Sequence, residues 1–196
     1  MNASTKTSIK ASIENAYQDA KNVVGLGDNE YVIAVYIANR PPLFEYQQLT
    51  QMSALTGGEI SAIGQECGNG WRKVFNVYAK LLFALDKEQF GFAKQAPTWQ
   101  HYRDSTLLQK GSNTALLFNA PIIKQNTKTI HLIIGRTYAK ALVNSKQLMV
   151  KLTWLDEEFA INTEHRLIVC PYFDYRQLSN IKIERLAAMM INIVRV

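Results

Sequence analysis

YVIAVYIA, residues Tyr31 to Ala38, is an unbroken apolar run rich in β-branched and aromatic side chains. A strand with one wet face alternates polar and apolar residues. A continuous run is instead the pattern of a strand buried on both faces, as in a parallel sheet covered by helices. The run stops at Asn39-Arg40-Pro41-Pro42, where the proline nitrogens carry no hydrogen to extend a ladder. Working outward, Thr114 to Phe118 (TALLF), Thr129 to Ile134 (TIHLII) and Arg166 to Cys170 (RLIVC) read as further short buried strands.

The segments around these strands carry helical spacing. Ile9, Ile13, Tyr17, Ala20 and Val24 predict an amphipathic helix near residues 5 to 24, ended by Gly25 and Gly27. Leu43, Tyr46, Leu49, Met52 and Leu55 predict another, closed by Gly57-Gly58. Glu59 to Gly70 reads as a short helical turn leading into a loop. Trp71, Val74, Phe75, Tyr78, Leu81, Leu82 and Leu85 give the clearest stripe in the chain. Thr98 is a suitable N-cap for a helix through Trp99 and Tyr102. Gly135-Arg136-Thr137-Tyr138 enters a helix directly from a strand, and Asn180 to Val196 forms the last one. Leu148 to Leu155 is compatible with strand or helix. The alternation predicts an α/β protein, a three-layer α/β/α arrangement around a mostly parallel sheet. The boundaries are a single domain over residues 29–196, with an N-terminal helix within residues 1–28 as part of it.

Composition narrows the function classes. With 196 residues, 47% apolar and 19% charged, the chain holds too much apolar and too little charged material for disorder. No run reaches the roughly 18 apolar residues of a membrane span. The polar start MNASTKTSIK lacks an apolar signal stretch, so a cytoplasmic protein with no membrane partner is expected. Cys67 and Cys170 are too few for a Cys-rich zinc site or a four-cysteine cluster, and no metal or other cofactor is expected. The net charge is +6, and from Ser105 to Leu155 there is no acidic residue while Lys110, Lys124, Lys128, Arg136, Lys140, Lys146 and Lys151 are present. On one face these would attract a phosphate-rich partner; spread out, they are ordinary solvated surface.

In open α/β sheets ligands bind outside the carboxyl ends of the strands. Those ends here are Asn39-Arg40-Pro41-Pro42, Asn119-Ala120-Pro121, Gly135-Arg136-Thr137-Tyr138, and the segment from Cys170 and Pro171 through Tyr172, Phe173, Asp174 and Tyr175 to Arg176. Asparagine can both donate to and accept from an amide or imide edge. Aromatic rings offer stacking faces, and arginine forks onto phosphate. The rim therefore suits a nucleobase with its phosphate, although asparagine after a strand also serves simply to hold a turn.

Segment by segment, the chain resembles the uracil-DNA glycosylase superfamily over roughly residues 31 to 190. YIANRPPL is similar to that family's water-activating first loop, with Asn39 in the asparagine's place and Arg40 inserted before the first proline. ALLFNAPII resembles the strand whose terminal asparagine, here Asn119, reads the base edge. IIGRTYAKAL resembles the turn into a helix that follows. VCPYFDYRQLSN resembles the last motif through Pro171, with Cys170 where the family has histidine. GWRKVFNVYAKL sits where the family presents contacts to the DNA backbone. The resemblance implies a DNA or nucleobase partner and hydrolysis of the N-glycosidic bond of a flipped base. It makes Asn39 the catalytic residue that positions water, with Asn119, Tyr172 and Phe173 binding the base. Arg176, Arg136 and Lys73 would bind phosphate. The altered first loop and Cys170 imply the alternative, a non-catalytic binding domain for nucleic acid, a small molecule or a protein.

Other motifs carry less. His131, between Ile130 and Leu132, reads as a core histidine. Cys170 would need a neighbouring base to act as a nucleophile. Asp156, Glu157 and Glu158 are adjacent, so their carboxylates diverge. Gly68-Asn69-Gly70 before Trp71 is either a tight turn or a phosphate-binding helix start.

Overall fold

A computed structural model describes residues 23–85, 88–123 and 128–195. In chain order these form β1 (Gly25–Gly27), β2 (Ile33–Tyr36), α1 (Phe44–Gln47), β3 (Met52–Ser53), α2 (Glu59–Glu66), α3 (Asn69–Ala84) and α4 (Trp99–Ser105). There follow β4 (Thr114–Leu117), β5 (Ile130–Ile134), α5 (Arg136–Asn144), β6 (Thr153–Trp154), β7 (Ala160–Asn162), β8 (Leu167–Cys170) and α6 (Asn180–Ile193).

The strands join one eight-stranded sheet in the order β3-β1-β4-β2-β5-β8-β7-β6. At its centre β4, β2, β5 and β8 are mutually parallel, with Tyr36 opposite both Leu117 and Ile133, and Ile134 opposite Cys170. These are the four strands read from the sequence, and every residue of each is buried. The sheet as a whole is mixed rather than mostly parallel, because β1 runs antiparallel to β4, and β7 antiparallel to both β8 and β6.

Alternation along β2 divides the interior. Ile33, Val35 and Ile37 join a cluster with the buried faces of α2, α3, α4 and α6, whereas Ala34 and Tyr36 join Ala139 and Leu142 of α5. His131 is on the α5 side, 3% exposed, its Nδ1 sharing a 2.8 Å hydrogen bond with the Tyr36 hydroxyl. Because Tyr36 lies opposite Ile133, the two rings are diagonal cross-strand neighbours, stacked at 5.8 Å. Burial, with a smaller contribution from His165, lowers the His131 imidazole to about 4, so it is neutral, as a core histidine should be.

Several expectations change. Residues 5–22 of the N-terminal helix lie outside the described residues. Gly25 and Gly27, expected to close that helix, lie in strand β1. A Cβ at Gly25 would stand 2.4 Å from the Leu116 carbonyl oxygen, and one at Gly27 2.2 Å from that of Thr114. Glycine is there because β4 approaches so closely. The helix expected over residues 43–55 shortens to one turn followed by β3, while Glu59–Glu66 is a full two turns. The acidic triplet is a hairpin turn. Asp156 accepts from the amides of Glu158 and Phe159, both at 2.8 Å, and turns the chain from β6 into β7. Thr98 caps α4 as expected, accepting from the His101 amide at 3.1 Å.

Candidate functional site

At the carboxyl ends of β2, β5 and β8 lies a cleft of about 700 Å³, within the size range of small-molecule sites. Asn39 enters it from the end of β2, Arg136, Thr137 and Tyr138 from the first turn of α5, and Tyr172 and Gln177 from the loop after β8. Glu157 and Glu158 border it from the β6–β7 turn. The cleft forms because β5 passes into α5 with no intervening loop. Gly135 makes that corner at φ +105°, a conformation L side chains rarely adopt, and its amide donates to the Cys170 carbonyl at 2.8 Å.

Asn39 is exposed and has no hydrogen-bond partner among the described residues. Arg136 is half exposed; it donates to the Glu157 carbonyl at 3.1 Å and lies 3.8 Å from the Glu157 carboxylate. Glu158 is held by Lys182 at 2.7 Å. Tyr138 and Tyr172 have hydroxyls raised above the ordinary tyrosine value, first by burial and for Tyr172 also by Asp174, so both are neutral donors at neutral pH.

Other residues of the predicted set are occupied within the protein. The Asn119 side-chain oxygen accepts from the Val24 amide at 2.9 Å, and its nitrogen donates to the Ala120 carbonyl at 2.8 Å. It ties β1 to the end of β4 and is absent from the cleft lining. Phe173 is fully buried, tilted against Tyr78 at 5.7 Å between ring centres, with no face for a base. Lys73 points inward rather than to solvent. The loop after β8 folds over α3, leaving Lys73 8% exposed with its ammonium 2.9 Å from Asp174 and 4.7 Å from the centre of the Tyr175 ring. Asp174 also accepts from the Arg176 amide at 3.0 Å and lies 3.4 Å from its guanidinium. Burial alone would raise this carboxyl, but the Arg176 and Lys73 donors outweigh it and hold it at about 2. Arg176 itself remains largely exposed on the outer side of the loop.

Among the described residues the basic stretch does not form one face. Arg136 is at the carboxyl end of β5, Lys128 at its amino end beneath Arg166, and Lys140 lies over the Trp154 ring at 5.5 Å. Lys124 lies outside the described residues. Cys170 is fully buried, and burial pushes its thiol far up, away from the reactive thiolate.

Glu157, Glu158, Tyr138 and Gln177 also line the cleft, although the sequence does not single them out as ligand-binding. Tyr138 lay within a strand-end segment and was discoverable, whereas Glu157 and Glu158 reach the cleft on a hairpin whose three-residue strand β7 carries no period to detect. Tyr175, 57% exposed with Lys73 behind its ring, is a further flat face beside the rim. Among the described residues no three histidine, cysteine or acidic side chains group as metal ligands, and no helix is long and apolar enough to cross a membrane.

Residues 24–191 match a protein family of unknown function, DUF6942, and the chain belongs to that family. No curated protein and no solved structure matches it.

Proposed function

We propose that this DUF6942 member binds a nucleobase-containing ligand, free or within nucleic acid, in the cleft at the carboxyl ends of β2, β5 and β8. The fold is read as a three-layer α/β/α arrangement of uracil-DNA glycosylase type. The observation that carries the proposal is convergence. Asn39, Arg136 and Tyr172, picked from separate strand ends for their chemistry, border one cavity. In this reading Tyr172 and Tyr138 flank the base, the free Asn39 amide meets its polar edge, and Arg136 exchanges its weak contact with Glu157 for a phosphate oxygen.

Binding without turnover is favoured over base excision. Hydrolysis of an N-glycosidic bond needs a group to activate water and a donor to stabilise the departing base. Asn119, assigned to the base edge by the resemblance, has both amide atoms on the backbone, and Glu158 is held by Lys182. The test is titration with nucleosides, nucleotides and single-stranded oligonucleotides, together with incubation of uracil-containing oligonucleotides. The expected result is saturable binding, weakened at least tenfold by Tyr172→Ala on the usual worth of base–aromatic stacking, and no strand left with an abasic site. Absence of binding to all three ligand types overturns the proposal. Base release that depends on Asn39 replaces it with the glycosylase reading.

A further inference from the structure

A second hollow, of about 610 Å³, lies between α2, α3 and α4 and shares no lining residue with the strand-end cleft. Asn69, Arg72 and Asn76 border it from α3, three and four residues apart and so on one helical face. Ser61 and Gln65 border it from α2, on either side of Gly64. A Cβ at Gly64 would stand 3.5 Å from the Arg72 Cβ, so the two helices approach closely and bring that hydroxyl and amide to the arginine's side. Arg103 enters from α4, and Ile60 and Phe75, 6% and 0% exposed, supply an apolar floor.

The charge in this hollow is directed but only partly neutralised. Arg72 donates to the Asn69 side-chain oxygen at 2.7 Å and pairs with no carboxylate among the described residues. Arg103 donates to the side-chain oxygen of Asn76 and to Asp104 at 2.7 and 2.9 Å, and lies over the Trp99 ring at 5.6 Å. An amide oxygen orients a guanidinium without cancelling its charge, and the planar fork retains N–H groups for a second acceptor. Among the described residues that line the hollow there is no carboxylate; Asp104 engages one edge of Arg103, while Arg72 has none. Gly68-Asn69-Gly70, singled out in the sequence, brings Arg72 to this place by starting α3 beside α2.

We propose that this hollow is a binding site for a phosphate-type oxyanion carried by a small molecule. Arg72 and Arg103 hold the anion, Ser61 and Gln65 supply neutral contacts, and Ile60 and Phe75 accommodate the attached organic group. The site is independent of the reading given to the strand-end cleft, so the probes contain no base.

Calorimetric titration of the full chain with ribose 5-phosphate, inorganic phosphate and ribose tests it. Ribose 5-phosphate is expected to bind, and ribose is not. Binding should weaken on the order of tenfold in Arg72→Ala, the loss expected for a charge-assisted hydrogen bond. Thermal melting should be unchanged, because Arg72 contacts only Asn69 among these polar partners. Arg103→Lys, which keeps the charge and loses the fork, should also weaken binding, whereas Tyr172→Ala should leave it intact. Tighter binding of the ester supports a phosphorylated metabolite as the source; equal affinity for inorganic phosphate assigns the free ion instead. Failure of both phosphate probes to bind, or equal binding to wild type and Arg72→Ala, overturns the proposal.

Discussion

The ends of β2 and β4 carry the same short pattern, one residue out of register. The strands are adjacent and parallel, and each is followed by asparagine and then proline within a few residues, Asn39 with Pro41 and Asn119 with Pro121. One asparagine is exposed at the cleft, and the other is bonded at both ends to backbone. Part of the difference lies in what runs beside each strand. β4 borders β1, whose incoming chain presents the Val24 amide for Asn119 to receive. β2 sits between β4 and β5, parallel to both, and among the described residues none hydrogen-bonds to the Asn39 side chain. Residue type and spacing to proline are the same, but Asn39 lies three residues beyond the end of β2 and Asn119 two beyond the end of β4; that offset and the neighbouring chain together decide the role. Lys73 and Phe173, occupied internally, contrast in the same way with Arg136 and Tyr172.

This contrast can be broken by substitution. The largest effect is expected for Phe173→Ala, which empties a fully buried site against Tyr78 and should cost about 3–5 kcal/mol in urea unfolding. A loss below about 1 kcal/mol would return Phe173 to the ligand-facing set.

Acid should probe the interior beneath the rim. The folded His131 value, about 4, is below the ordinary 6.5, so at intermediate pH the unfolded chain binds a proton that the folded one does not. Its contribution is complete above pH 6.5 and declines as pH falls towards 4, by on the order of 3 kcal/mol. The difference between wild type and His131→Gln, followed by urea midpoints from pH 7.5 to 4.5, isolates that share. Parallel curves for the two proteins would mean that His131 titrates normally.

Lys73→Met removes the partner of Asp174 and should cost about 2 kcal/mol, less than for a fully buried pair because Asp174 retains the Arg176 contacts. If Lys73 acted on ligand phosphate, the variant would lose affinity without losing stability. Asn119→Ala should cost about 1–2 kcal/mol by leaving backbone groups of Val24 and Ala120 unpaired, with ligand affinity retained. The smallest change in stability, within about 0.5 kcal/mol, is expected for Asn39→Ala, and there the loss should fall on nucleoside affinity. Matching outcomes for the two asparagines, in either property, would end the comparison.

Much of the fold was legible from local pattern. Four continuous apolar runs became four central parallel strands, and the Trp71 stripe became α3, because burial on both faces or along one stripe leaves a direct mark on composition. Gly25–Gly27, β3 and β7 carried no such mark. They are two or three residues long and exist only because a longer strand lies beside them.

That the chain is α/β, and that polar and aromatic residues follow its strands, is legible in the order of residues along the chain. Which of those groups are free depends on what packs beside them in three dimensions. Hydrogen bonding is a matter of neighbours. The backbone amide of Val24, just before β1, occupies Asn119, a loop folding over α3 buries Lys73, and a hairpin turn sets two carboxylates beside a cleft that its own segment gave no reason to expect.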